Sequence, residues 1–390
     1  MIDNSFAGER LTYARNRKGL SMQDIATLLG VQRQYIHKVE TGRENKTFSQ
    51  EQIQTVAAAL GVCTSFFCTT NSNTISNDRL HFRSVAIPNY VREQAKILAE
   101  DVVAVCSFLR EFIQPLGLAF PQFHLDEVID SEHIKTDGLY ASELEQAAEK
   151  VRELLELGDG PISNMVRVLE SQGVVVTYSE RISEKVDAFC NDDYFPVVVR
   201  NDKKSPVRCR LDLGHELAHL TLHKGVNNDI VNNQYIEKQA NYFAACLLLP
   251  RKSFIAEFPK LKGRRIPWGK LLDMKARWKV AVSAIIMRAY HLSLIDSDTY
   301  QKAFIHISGK GWRTKEPMDD PNDADYIELE QPELLQNSIT LLMNTHKDML
   351  PKMKESLKLS NGTLREILGM YNLKDEDFEF RQKPALKVVK

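Results

Sequence analysis

A chain of 390 residues, 43% hydrophobic and 26% charged with a formal net charge of -1, has the make-up of a soluble protein of two or three domains. No apolar run reaches the roughly 18 residues of a membrane span, and the N-terminus has no secretory h-region, so a cytoplasmic protein without membrane contact is expected. The six cysteines form no C-x-x-C pair, and a chain this long needs no disulfide staples, which agrees with a reducing compartment.

Charge is unevenly spread. Residues 1–66 carry eight Lys/Arg against six Asp/Glu, while residues 121–160 carry three against eleven. Arg10, Arg15, Arg17 and Lys18 lie close together near the start and are expected to form a modest electrostatic footprint for nucleic acid.

Residues 8–67 read as a set of short helices. Ser21 can cap a helix whose apolar residues are Ile25, Leu28 and Leu29, and Gly30 supplies the left-handed residue that ends it. Val31 is expected to pack inward, Gln32 to begin the next helix, and Ile36 and Val39 to bury its inner face. The outer face then carries Arg33, Gln34, His37 and Lys38, with Tyr35 beside them. Arg and Gln are the side chains best suited to guanine and adenine edges in the major groove. The stretch LSMQDIATLLGVQRQYIHKVETGRE, followed by IQTVAAALGV, resembles the Xre-type repressor family. That resemblance implies a helix-turn-helix DNA-binding domain reading a double-stranded operator through residues 32–38 (Gln32 included). Met22 departs from it, standing where the family often has a phosphate-contacting Gln.

The polar stretch TTNSNTISND (69–78) reads as a linker. Val91, Ala95, Leu98, Val102, Val105 and Leu109 recur at helical spacing, predicting a helix over 91–114. An acidic helix is expected over 140–157, and a further one from Pro161 to Glu170, stopped by Gly173. Residues 174–178 and 195–199 read as β-branched strands, and helices follow near 206–223, 230–248 and 264–292. The last 65 or so residues read as helices of no identifiable role.

The helix over 206–223 contains His215-Glu216-Leu217-Ala218-His219. Residues i and i+4 share one helical face about 6 Å apart along the axis, so both histidines can reach one Zn2+ ion. Glu216 lies about 100° round the helix, where a carboxylate can take a proton from zinc-activated water without being a ligand. Two apolar stripes, Leu211/Ala218/Leu222 and Leu213/Leu217/Leu220, place this helix between layers, where solitary histidines are costly. His223 stands about 12 Å further along the axis from His215 and is read as a supporting residue. Glu237, at the inward edge of the stripe Ala240, Phe243, Ala244, Leu247 and Leu248, is the candidate third metal ligand. Cys190 and Cys209, which precede the motif, read as buried apolar residues.

The segments PISNMVRVLESQGVVV, DAFC, FPVVVRND, RCRLDLGHELAHLTLH and IEKQANYFAACLLLP resemble the ImmA/IrrE family of metallopeptidase-like proteins. MKARWKVAVSAIIMRAYHLSLI and GWRTKEP extend the likeness to residue 317. The resemblance implies zinc on His215, His219 and Glu237, Glu216 as general base, and a helix-turn-helix repressor as a frequent protein substrate. The expected fold is mainly α with a small β-sheet (α+β). It comprises a helix-turn-helix domain at 1–68, a linker and connecting helices at 69–137, a zincin-like zinc metallopeptidase domain at 138–318, and a small helical C-terminal domain at 319–390. The expected function is a DNA-binding regulator, a candidate homodimer, whose peptidase cleaves itself or a partner repressor on stress, phage or mobile-element signals. The alternative is a non-proteolytic or antitoxin-like regulator whose zinc domain senses a ligand or docks a partner protein.

Overall fold

Ser21 opens α2 (Met22–Leu29) with a reciprocal cap: its hydroxyl accepts from the Asp24 amide, and the Asp24 carboxylate accepts from the Ser21 amide at 2.6 Å. Gly30 closes it at φ +64°. Before it stands α1 (Gly8–Arg17), and after it α3 (Arg33–Glu40) and α4 (Gln50–Leu60). The computed structural model describes residues 6–43, 47–68, 80–82, 88–113, 140–178, 188–191, 196–200, 204–223, 233–261 and 263–380. The fold is mainly helical with one small sheet, as the sequence patterns imply.

The chain divides into two packed units: residues 1–75, 88–120 and 333–390 form one, and residues 76–87 and 121–332 the other. The expected linker at 69–78 lies outside the described residues.

In the first unit, α1 and the 25-residue helix α5 (Asn89–Ile113) pack together. All six residues that predicted α5 are buried. Three C-terminal helices, α14 (Leu334–Thr345), α15 (Met349–Leu357) and α16 (Asn361–Leu368), also pack on α5. They reach the end of α4 as well. Val62 bridges to Leu359, the Cys63 amide donates to the Lys358 carbonyl at 2.8 Å, and the Ser360 amide donates to the Gly61 carbonyl at 3.0 Å. Helices expected to stand alone at 319–390 are thus divided by the packing, those from 333 onward joining the helix-turn-helix.

The second unit holds a four-stranded sheet in the order β1-β3-β4-β2. Strand β2 (Val175–Tyr178) runs parallel to β4 (Val197–Arg200), whereas β3 (Ala188–Asn191) is antiparallel to both β4 and β1 (Leu80–Phe82). Strands β1 and β3 carry no β-branched run and are not visible as strands in the sequence. Helix α6 (Ala141–Leu154) corresponds to the acidic helix. Helix α7 (Met165–Ser171) begins four residues later than expected from Pro161, because the Asn164 side chain caps it by accepting from the Arg167 amide.

Next come α8 (Pro206–Leu222), α9 (Asn233–Leu248), α10 (Arg251–Glu257), α11 (Trp268–Trp278), α12 (Val282–His291) and α13 (Ser297–Gly309). Helix α9 packs on both α6 and α8, and α8 also packs on α7, β3 and β4. The unit extends past the expected boundary at 318 because Glu330 is tied into it. That carboxylate pairs with Arg210 of α8 and accepts from the Met165 and Val166 amides at the start of α7. The Arg288 guanidinium forks Glu145 at 2.6 and 2.8 Å and donates to the Leu249 carbonyl, joining α12, α6 and the end of α9.

Candidate metal centre and nucleic-acid surface

Helix α8 is buried along nearly its whole length, as its two apolar stripes imply. His215, Glu216 and His219 are each 1% exposed. Gly214 lets the partner helix come close: a Cβ there would meet Ala244 of α9 at 3.2 Å. This approach sets Glu237, near the start of α9, opposite the two histidines.

The three donor groups converge. His215 Nε2 and His219 Nε2 are 3.0 Å apart, Glu237 Oε2 is 3.3 Å from the first, and Glu237 Oε1 is 3.5 Å from the second. Ligands at about 2.0–2.1 Å around a tetrahedral zinc would stand about 3.3 Å from one another.

Two amides decide which ring nitrogens face inward. The Asn241 Nδ2 donates to the Glu237 carbonyl at 2.8 Å, which turns Oδ1 toward His215 Nδ1 at 3.1 Å. An amide oxygen only accepts, so His215 Nδ1 carries the hydrogen and Nε2 presents a lone pair. On the other side Gln239 Oε1 lies 3.0 Å from His223 Nε2, and His223 Nδ1 lies 3.0 Å from His219 Nδ1. Neutral His223 therefore donates to Gln239 and accepts from His219, so His219 Nε2 presents a lone pair as well. Two lone pairs on nitrogens 3.0 Å apart repel each other, and a cation between them and the carboxylate removes that repulsion. Glu237 Oε2 is itself buried without a well-formed hydrogen bond among the described residues. The donor set fits a zinc ion.

His223 stands beside the site, where the sequence reading put it. Asn241 and Gln239 were missed. Asn241 could have been found, since it sits four residues after Glu237 on the same helical face; Gln239 gives no such signal. Cys209 is buried, with its thiol directed to the Lys204 carbonyl at 3.6 Å. The side chain of Cys190 is outside the described residues.

In the first unit, Gln32 is the N-cap of α3 rather than its first helical residue. Gln32, Arg33, Gln34 and His37 are exposed, Tyr35 and Lys38 half-buried, and Ile36 and Val39 fully packed on the opposite side. The Tyr35 hydroxyl donates to the Thr47 carbonyl at 2.8 Å and its ring leans on Phe48, so this residue braces the helix. Helix α2 buries Ile25 and Ala26, whereas Leu28 is 44% exposed and Leu29 and Val31 are half-buried, contrary to the expected inner face.

The expected basic footprint is not a surface either. Arg10, Arg15 and Arg17 are buried. Arg15 forks Glu40 at 2.7 and 3.1 Å, pinning the end of α3 to α1. Arg10 stacks 3.8 Å over the Phe66 ring, and Arg17 lies 3.7 Å from Asp101 of α5. These three cations are engaged within the fold, and Lys18, the fourth of the expected footprint, is half-buried.

Comparison with known families agrees with both regions. Residues 11–66 match the helix-turn-helix family, and residues 169–290 match the family described as the IrrE N-terminal-like domain. No curated protein matches the chain. No helix among the described residues is long and apolar enough to cross a membrane.

Proposed function

We propose that this chain, a helix-turn-helix domain joined to an ImmA/IrrE-like domain, is a DNA-binding regulator with a working zinc metallopeptidase that cleaves itself or a partner repressor. Stress, phage or mobile-element signals would trigger it. The observation that carries this reading is the convergence of His215, His219 and Glu237 beside Glu216. Zinc held by those three side chains would supply Lewis acidity, lowering the pKa of water and polarising a peptide carbonyl. Glu216 accepts the proton of the attacking water and passes it to the leaving amine. Asn241 and the His223–Gln239 pair hold the two imidazoles in the tautomer that faces the metal. Intact-mass measurement of the protein with candidate repressors, with and without zinc, tests the reading through the appearance of fragments.

Metal analysis tests the ligand set separately. One zinc per chain is expected in the native protein, none in His215→Ala or His219→Ala, and little or none in Glu237→Ala. Full occupancy in Glu237→Ala would reject the third ligand. His223→Ala is expected to keep the metal with affinity lowered about 10- to 100-fold, as when a ligand loses its hydrogen-bonded partner.

DNA reading is assigned to α3, with Gln32, Arg33, Gln34, Tyr35, His37 and Lys38 on or beside the face that meets a double-stranded operator. Arg33→Ala with Gln34→Ala is expected to cost about 1–3 kcal/mol for each bidentate hydrogen-bonded pair with a base that it removes. It should also erase discrimination between operator and unrelated DNA. Equal discrimination in a gel-shift titration would move the reading surface elsewhere. Paired half-sites would be read by a homodimer.

A further inference from the structure

A groove of about 850 Å³ lies in the second unit, walled by α8, α9, α12 and α13. It lies beside the metal centre rather than over it: the residue they share is Asn241, which meets His215 on its Nδ1 side. Arg208, Leu211 and Asp212 precede His215 by seven, four and three residues, and so share its helical face. On α9 the groove takes Lys238 and Asn241, and Asn241 also holds His215 Nδ1 at 3.1 Å.

The chemistry of its walls is specific. Leu211, Ala245, Ala284, Met287 and Ile307 give it an apolar floor. Met287 stays 38% exposed, an open and adaptable apolar surface. Around that floor stand four cations, Lys204, Arg208, Lys238 and Arg313. Among the described lining residues the single carboxylate is Asp212, and it is paired with Lys204 at 2.9 Å. Arg208 and Arg313 are held by hydrogen bonds to the Trp312 carbonyl and the Ser308 hydroxyl, so their charge is fixed at the rim. A volume of this order accommodates several side chains rather than a lone ion.

We infer that this groove seats a segment of the protein substrate away from the scissile bond, and that it selects apolar side chains interspersed with Asp or Glu. The inference rests on the peptidase reading for its substrate, but not for its binding measurement. The test uses full-length protein carrying Glu216→Gln, with its zinc content measured. Two fluorescent peptides are titrated by anisotropy: one alternates Glu with Leu and Phe, and its counterpart has Lys at every Glu.

The acidic peptide is expected to bind about tenfold tighter, as three exposed ion pairs together supply. Adding Lys238→Glu with Arg313→Glu should cancel or reverse that preference without loss of zinc. Arg313→Glu alone, far in sequence from the metal centre, should reduce it by about two- to threefold. Met287→Asp should weaken binding of both peptides. Equal binding of the two peptides, or a preference that survives the charge reversals, would overturn the inference. Competition by ATP at the same concentration as the acidic peptide would also overturn it, assigning the groove to small anions. If the wild-type protein showed the preference yet cleaved neither peptide nor repressor, the groove would stand and the peptidase reading would fall.

Discussion

Glu216→Gln is expected to lower peptide-bond hydrolysis by about 10²- to 10⁴-fold while leaving zinc content, thermal stability and operator binding unchanged. The amide is nearly isosteric with the carboxylate and sits in the same buried position on α8, 1% exposed, so the helix should keep its packing. His215, His219 and Glu237 remain, and so do Asn241, Gln239 and His223 behind them. What disappears is the ability to accept a proton from water. The consequence for regulation separates the two functional classes. If proteolysis is the switch, a reporter under the cognate promoter stays silent in the mutant under the inducing stress. If the zinc domain senses a ligand or docks a partner, induction persists. Normal induction in the mutant would therefore reject the protease as the switch, even with zinc fully bound.

Lys275→Met is expected to destabilise the second unit by about 3–5 kcal/mol, the usual consequence of removing one partner from a buried ion cluster. The Lys275 ammonium on α11 is fully buried and lies 2.9 Å from Glu316 and 2.7 Å from Asp319. Glu316 also accepts from the Val282 amide at the start of α12, and the Glu316 amide donates to Asp319. Methionine replaces the length of the lysine stem but not its charge, so two carboxylates are left facing each other out of water. Lys302→Met is the control: Lys302 pairs with Asp298 at the surface, side chain 64% exposed, and such pairs contribute no more than about 1 kcal/mol. Urea unfolding followed by circular dichroism measures both. A Lys275→Met protein within about 1 kcal/mol of wild type would show that the cluster does not hold the segment after α13 in place.

The mixture of what was and was not legible follows from the range of the interactions involved. Helix α5 was readable because its burial is periodic along one segment. The cap at Ser21 and the turn at Gly30 were readable because they involve neighbouring residues only. Strands β1 and β3 were not, since their hydrogen bonds come from partners distant in sequence and their own residues carry no β signal. The arginines near the N-terminus misled for the same reason. A cation's role depends on what packs against it, and Glu40, Phe66 and Asp101 are remote in sequence from Arg15, Arg10 and Arg17.

By itself the sequence determined the helix-turn-helix, the His215/Glu216/His219 spacing and Glu237 as the inward acid, because a helix turns 100° per residue and places i and i+4 side by side. Only the tertiary structure decided that the three donors meet within 3.0–3.5 Å, through the close approach at Gly214 and Ala244. It alone showed that Asn241 and Gln239 set the imidazole tautomers, and that the helices after 333 pack with the helix-turn-helix unit. Helical phase says which way a side chain points; what it meets there depends on segments brought together only by folding.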